Sequence, residues 1–243
     1  NSTDGSGTPY RTLVCYKETH NYPGNPDPTD TWTGTWRDPR GTPPADGGRP
    51  ENALSGTFFR INGPYTDVIT VTGEDGKMRF WRNTSVATLG NGQTTTLAPG
   101  TLGAEVDVDD DNGYRPPGLF GVSANPISTS SLYAVDDGYG STFGAGNATH
   151  RVTLYRHSSG ALVFSTGSYQ WSWGLDANHD RNNLGSTTDV RMQQATVNLF
   201  ADMGVQPVTL QSGLVAATTS TDTTAPASTI TSPTTGANVP LSS

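Results

Sequence analysis

Glycine and proline punctuate this chain so often that only one stretch is suited to a regular helix of several turns. With 29 Gly and 17 Pro in 243 residues, the segments between breakers favour strands and turns over helices. The exception is Asp189–Met203, free of both residues, which places Met192, Ala195, Leu199 and Met203 at spacings of three and four, the period of one helix face. Thr187 and Thr188 precede it as candidate caps, and Gly204 supplies the stop. Elsewhere the chain reads as strands. Tyr10–Glu18 is apolar through its centre, Leu13 to Tyr16, as an interior strand covered on both faces would be. Leu54–Ile61 and Asp67–Thr72 follow, separated by an Asn62-Gly63-Pro64 turn, and Lys77–Arg82 is expected as another strand. The clearest hairpin joins His150–Tyr155 to Ala161–Thr166 through Arg156-His157-Ser158-Ser159-Gly160. One helix among so many strands is too little for a self-contained doubly wound domain. The expected fold is therefore mixed α/β and β-dominated, with part of its α/β layer supplied from outside these residues.

Composition narrows the partners. A net charge of −8 and a pI of 4.8 would repel a phosphate backbone, which argues against nucleic acid. No apolar run approaches the roughly 20 residues of a membrane span, and no signal-peptide pattern opens the chain, which is expected to begin within a longer protein. From Ala216 the sequence turns rich in Thr, Ser, Pro and Ala. Residues 216–226 read as a linker and 227–243 as the truncated start of an immunoglobulin-like repeat. Such a tail, with only Lys17 and Lys77 among the 14 basic residues, suits a secreted or cell-surface bacterial protein.

Several residue groups are candidates for chemistry. Asp107, Asp109, Asp110 and Asp111 beside Gly113 are raw material for a calcium loop, but their spacing departs from the EF-hand template. Asp176, Asn178 and Asp180 alternate correctly, with Arg181 where that template needs Gly. The four histidines His20, His150, His157 and His179 form no local zinc pair, and only His20, at a strand end, stands where ligands gather. Cys15, the single cysteine, lacks the elbow of a nucleophile and reads as a core residue. Trp32 with Trp36, and Trp171 with Trp173, have the even spacing that would put both rings on one face of an extended segment. Exposed, such a face stacks on sugars; buried, it is core.

The segments PYRTLVCYKETH, WTGTWRD, ADGGRPENALSG, HRVTLYRHSSGALVFSTGSYQWSWGLD and VRMQQATVNLFADMGVQP together resemble the C-terminal region of the large subunit of N,N-dimethylformamidase. They are also similar to a broader dimethylformamidase β-subunit-like family, many of whose members are long actinobacterial chains with immunoglobulin-like repeats. The resemblance spans roughly residues 5–215, taken here as one domain of residues 1–215. It implies a class I glutamine-amidotransferase-like scaffold with a β-rich insertion and the hydrolysis of a small amide. It further implies iron held by two tyrosines and a glutamate, hard donors that suit a metal polarising a carbonyl. Glu18 aligns with the metal-binding glutamate. Tyr16 stands where a histidine neighbouring the metal is expected, and Asn52 is a candidate polar site residue. The tyrosines expected to bind iron belong to the family's upstream half, so these residues alone are expected to be catalytically incomplete. An upstream part of the same protein, or another fragment or subunit, would complete them. The rival expectation is a non-catalytic extracellular module for structure, assembly or glycan binding, using Trp32 and Trp36.

Overall fold

The computed structural model describes residue 37, residues 50–135, 142–178 and 188–222, and beyond them 224, 227, 229–234 and 236–238. The expected strand Tyr10–Glu18 lies outside the described residues. The elements run α1 (Asn52–Ser55), β1 (Phe58–Asp67), β2 (Thr70–Thr72), β3 (Thr94–Thr96), β4 (Leu102–Val108), β5 (Phe120–Gly121), β6 (Asn125–Ala134), β7 (Phe143–His150), β8 (Thr153–Arg156), β9 (Leu162–Ser165) and α2 (Val190–Asp202). Three sheets result. β1, β4, β7 and β6 close into a small barrel, β2 pairs with β3, and β5, β8 and β9 form a three-stranded sheet. The fold is β-dominated, as expected. Every strand pair among the described residues is antiparallel, so the parallel layer of a glutamine-amidotransferase-like scaffold has no counterpart there.

The barrel closes through narrow seams, Ile61 opposite Tyr133 and Val108 opposite His150. The expected turn at Asn62-Gly63-Pro64 is instead a bulged continuation of β1, whose register with β4 shifts between Asn62 and Thr66. A bulge accommodates both a proline without an N–H and a glycine without a Cβ. Here the glycine is required, because a Cβ on Gly63 would sit 2.2 Å from the Ala104 carbonyl oxygen. Lys77–Arg82 also departs from expectation. It forms two 3-10 turns, Asp75–Lys77 and Arg79–Trp81. Phe80 and Trp81 are adjacent and both buried, which a strand with alternating faces cannot achieve. Phe80 stacks on Phe164 and Trp81 Nε1 donates to the Val122 carbonyl.

The β8–β9 hairpin forms with Thr153 opposite Ser165 and Leu154 opposite Phe164, and Gly160 takes a φ of +89° in its turn. Helix α2 forms where the periodicity placed it. Its cap is Asp189, one residue beyond the Thr187-Thr188 pair, whose Oδ1 accepts from the Arg191 N–H. At the other end Gly204 (φ +80°) donates to the Ala201 carbonyl and Val205 to that of Phe200, the paired bonds of a glycine-terminated helix. Met192, Ala195 and Leu199 enter a single core with Ile61, Leu102 and Val106 of the barrel, while Met203 is exposed. The first residues of the expected linker lie against α2: Ala217 packs on Val197 and Ala201, and Thr219 Oγ1 donates to the Ala201 carbonyl. No strand occurs among the described residues of 227–243. No helix among the described residues is long and apolar enough to cross a membrane.

Candidate functional site

Strand β4 reads LGAEVDV, and its alternation sends Val106 and Val108 into the core while Glu105 and Asp107 share the opposite face. Facing them is the turn that leaves β9. The Asp107 N–H donates to the Gly167 carbonyl, tying this turn to β4. Gly167 has a φ of +59°, and a Cβ there would lie 2.8 Å from the Arg151 carbonyl oxygen and 2.9 Å from the His150 ring. Ser168 then caps the 3-10 turn Tyr169–Gly174, its Oγ accepting from the N–H groups of Gln170 and Gly103. Between Glu105 and Asp107 on one side and Ser165 to Tyr169 on the other lies a cavity of about 210 Å³.

Its electrostatics are unusual for a surface strand. Burial, reinforced by the charges of Glu105 and Glu51, pushes the Asp107 carboxyl up to about 7, against the opposing pull of Arg37 and Thr57. The Asp107 carboxyl therefore exchanges its proton near neutrality. The Tyr169 hydroxyl, hydrogen-bonded to Glu105 and partly desolvated, is pushed up to about 12 and stays protonated. Thr57 Oγ1 lies 2.6 Å from Ser165 Oγ and 3.4 Å from Asp107 Oδ2, linking the cavity wall to the start of β1. Arg37 is bound beside this group. Its Nη2 meets Glu51 Oε1 at 2.5 Å, Nη1 donates to the Phe59 carbonyl, and the guanidinium lies over the Phe58 ring. Behind Gly167, His150 is fully buried and its pKa falls to about 4 through desolvation. The neutral ring donates from Nε2 to the Thr166 carbonyl at 2.9 Å, and Nδ1 has no partner.

Of the residues singled out in the sequence, Tyr16, Glu18, Cys15, His20, Trp32, Trp36, His179 and Asp180 lie outside the described residues. Asn52 is fully buried but does not line the cavity. Its amide pairs reciprocally with that of Asn112, fastening α1 to the acidic loop. The acidic run divides: Asp107 borders the cavity, Asp109 pairs with Arg115 and Arg151, and Asp111 accepts from the Gly113 N–H. Among the described residues no three His, Cys, Asp or Glu side chains converge as metal ligands. Trp171 is buried against Phe80 and Phe164 as part of the core, and Trp173 is half-buried in the same 3-10 turn. His157 is exposed in the hairpin turn. Glu105, Thr57, Ser165 and Tyr169 were not legible as site residues. The available signal was the pair of carboxylates two residues apart within an otherwise apolar strand.

Comparison with known families gives one match. The sequence model described as N,N-dimethylformamidase beta subunit-like, C-terminal, matches residues 1–184. No curated protein and no solved structure matches the chain significantly.

Proposed function

The chain belongs to the N,N-dimethylformamidase beta subunit-like C-terminal family, and from that membership we propose that it is the C-terminal portion of a protein hydrolysing the C–N bond of a small amide. The family match over residues 1–184 carries this reading. The family description itself names a subunit, which supports a centre completed by upstream residues or by a partner chain. A location outside the cell belongs to the same proposal.

Amide hydrolysis needs a polarised carbonyl, an activated water and a proton for the leaving amine. The described residues do not by themselves fit an iron site, since no three suitable side chains converge among them. In this reading iron, which would polarise the carbonyl, depends on Glu18, with Tyr16 beside it and the remaining ligands supplied from upstream. What the described residues offer is proton handling. Asp107 exchanges its proton near neutral pH, the range in which a side chain is suited to proton transfer. Glu105 and the Tyr169 hydroxyl set its surroundings.

The test is amine release from N,N-dimethylformamide and a panel of small amides by the full-length protein, together with its metal content. Release of amine with about one iron per chain, both lost in Glu18→Ala, is the expected result. A full-length protein that releases no amine from any amide of the panel overturns the reading in favour of a non-catalytic module.

A further inference from the structure

The cavity between β4 and the turn after β9 has a chemistry of its own. At about 210 Å³ it falls below the roughly 300–1,000 Å³ of pockets for drug-sized ligands, so its occupant has few heavy atoms. Its wall carries the carboxylates of Glu105 and Asp107 and the hydroxyls of Ser165 and Tyr169. Glu51 adds a third negative charge that acts on Asp107, and the one cation acting with it, Arg37, is already engaged by Glu51 at 2.5 Å. A second observation points the same way from behind the wall. Thr153 stands opposite Ser165 in the β8–β9 ladder and therefore on the same sheet face. It is fully buried, and its hydroxyl has no partner. An unmet polar group of that kind marks a network that a ligand or an ordered water completes.

The geometry points to this cavity as a binding site for a small alkylammonium cation, held by the Asp107 and Glu105 carboxylates and by the Ser165 hydroxyl. An ammonium N–H donating to Ser165 Oγ leaves that hydroxyl's own proton for Thr57 or Thr153. An amine arriving uncharged takes the proton of Asp107 and leaves an ammonium–carboxylate pair. One arriving charged displaces that proton to solvent. That the cation is the amine freed from an amide rests on the function proposed above; the binding itself does not.

Calorimetric titration of the full chain with dimethylammonium chloride at pH 8 and pH 5 tests the site, with N,N-dimethylformamide and calcium chloride as separate titrants. Binding at pH 8 that weakens at least 10-fold at pH 5 is expected, because Asp107, faced by Glu105, Glu51, Arg37 and Tyr169, is ionised only at the higher pH. Asp107→Asn and Glu105→Gln, each with its thermal melt measured, should both weaken binding at least 10-fold at pH 8. Absence of binding at pH 8, equal binding at the two pH values, or full affinity in folded variants overturns the site. So does equal affinity for the uncharged amide, or calcium binding in place of the ammonium. Failure here leaves amine release from amides as an independent measurement.

Discussion

Two largely buried aspartates, at opposite sides of one core, have been treated in opposite ways. Asp189, at the head of α2, is surrounded by donors: the N–H groups of Ala98 and Arg191 and the Arg191 guanidinium all reach it within 3 Å. Burial alone would raise its pKa, but those hydrogen bonds and that charge hold it below the ordinary carboxylate range. Asp107, beside the cavity, meets two other carboxylates and one long hydrogen bond from Thr57, and its pKa rises. The same contrast extends around each residue. Near α2, Asn198 donates to the Phe80 and Arg82 carbonyls, and the Gln194 side chain both donates to and accepts from Val215. Near the cavity, Glu51 Oε2, His150 Nδ1 and Thr153 Oγ1 are buried without partners. A region arranged for stability satisfies its polar groups; one that leaves them unmet tolerates a cost that a bound molecule can offset.

The comparison breaks most readily on the helix side. Asn198→Ala removes both hydrogen bonds to the Phe80 and Arg82 carbonyls and the acceptor used by Gln194, and it opens a void in a fully buried position. We expect a loss of about 3 kcal/mol in urea unfolding. Ser165→Ala, which touches only the Thr57 hydroxyl and one long bond from the Gly167 N–H, should cost less than about 1 kcal/mol. Similar losses for the two variants would erase the distinction between the regions.

Asp189→Ala comes next, at about 2 kcal/mol, since it removes the helix cap and leaves the buried Ala98 N–H without its acceptor. The sign with pH is fixed by the lowered pKa. The contribution is present above the unfolded carboxylate's ordinary range and disappears as pH falls through the folded value. Equal stability of wild type and variant at pH 7 in chemical denaturation would remove the cap from this account.

How much of this was legible in the sequence follows from range. Helix α2 could be read because Met192, Ala195 and Leu199 lie within one another's local reach and Gly204 ends the helix by its own conformational freedom. The β8–β9 hairpin could be read for the same reason. Phe80 and Trp81 misled, because two adjacent aromatics have strand propensity and only the surrounding core, with Phe164 and Trp171 against them, selects a 3-10 turn. The cavity was hidden for a different reason. Asp107 and Ser165 are 58 positions apart in sequence, and nothing local to either announces that Gly167 brings the turn onto β4.

The smallest effect is the most informative, because its direction runs against intuition for deleting a charge. Between pH 3.8, the ordinary value of the carboxyl, and about 7, folded Asp107 keeps a proton that the unfolded chain has released, so its effect on stability worsens as pH rises. His150 acts oppositely. Between its ordinary 6.5 and about 4 the folded ring stays neutral while the unfolded one gains a proton, so stability worsens as pH falls. Across the shared window, from about 4 to 6.5, the two slopes offset each other. Asp107→Asn, which imitates the protonated carboxyl, removes one of them. The variant should match wild type near pH 4 and become more stable by about 1 kcal/mol at pH 8, after allowing for the solvent that still reaches this half-buried side chain. It should also uncover a rise in stability with pH that belongs to His150. Urea midpoints at pH 4.5, 6 and 8 decide the matter. A variant less stable than wild type at pH 8 would show that Asp107, like Asp189, is held for the sake of the fold.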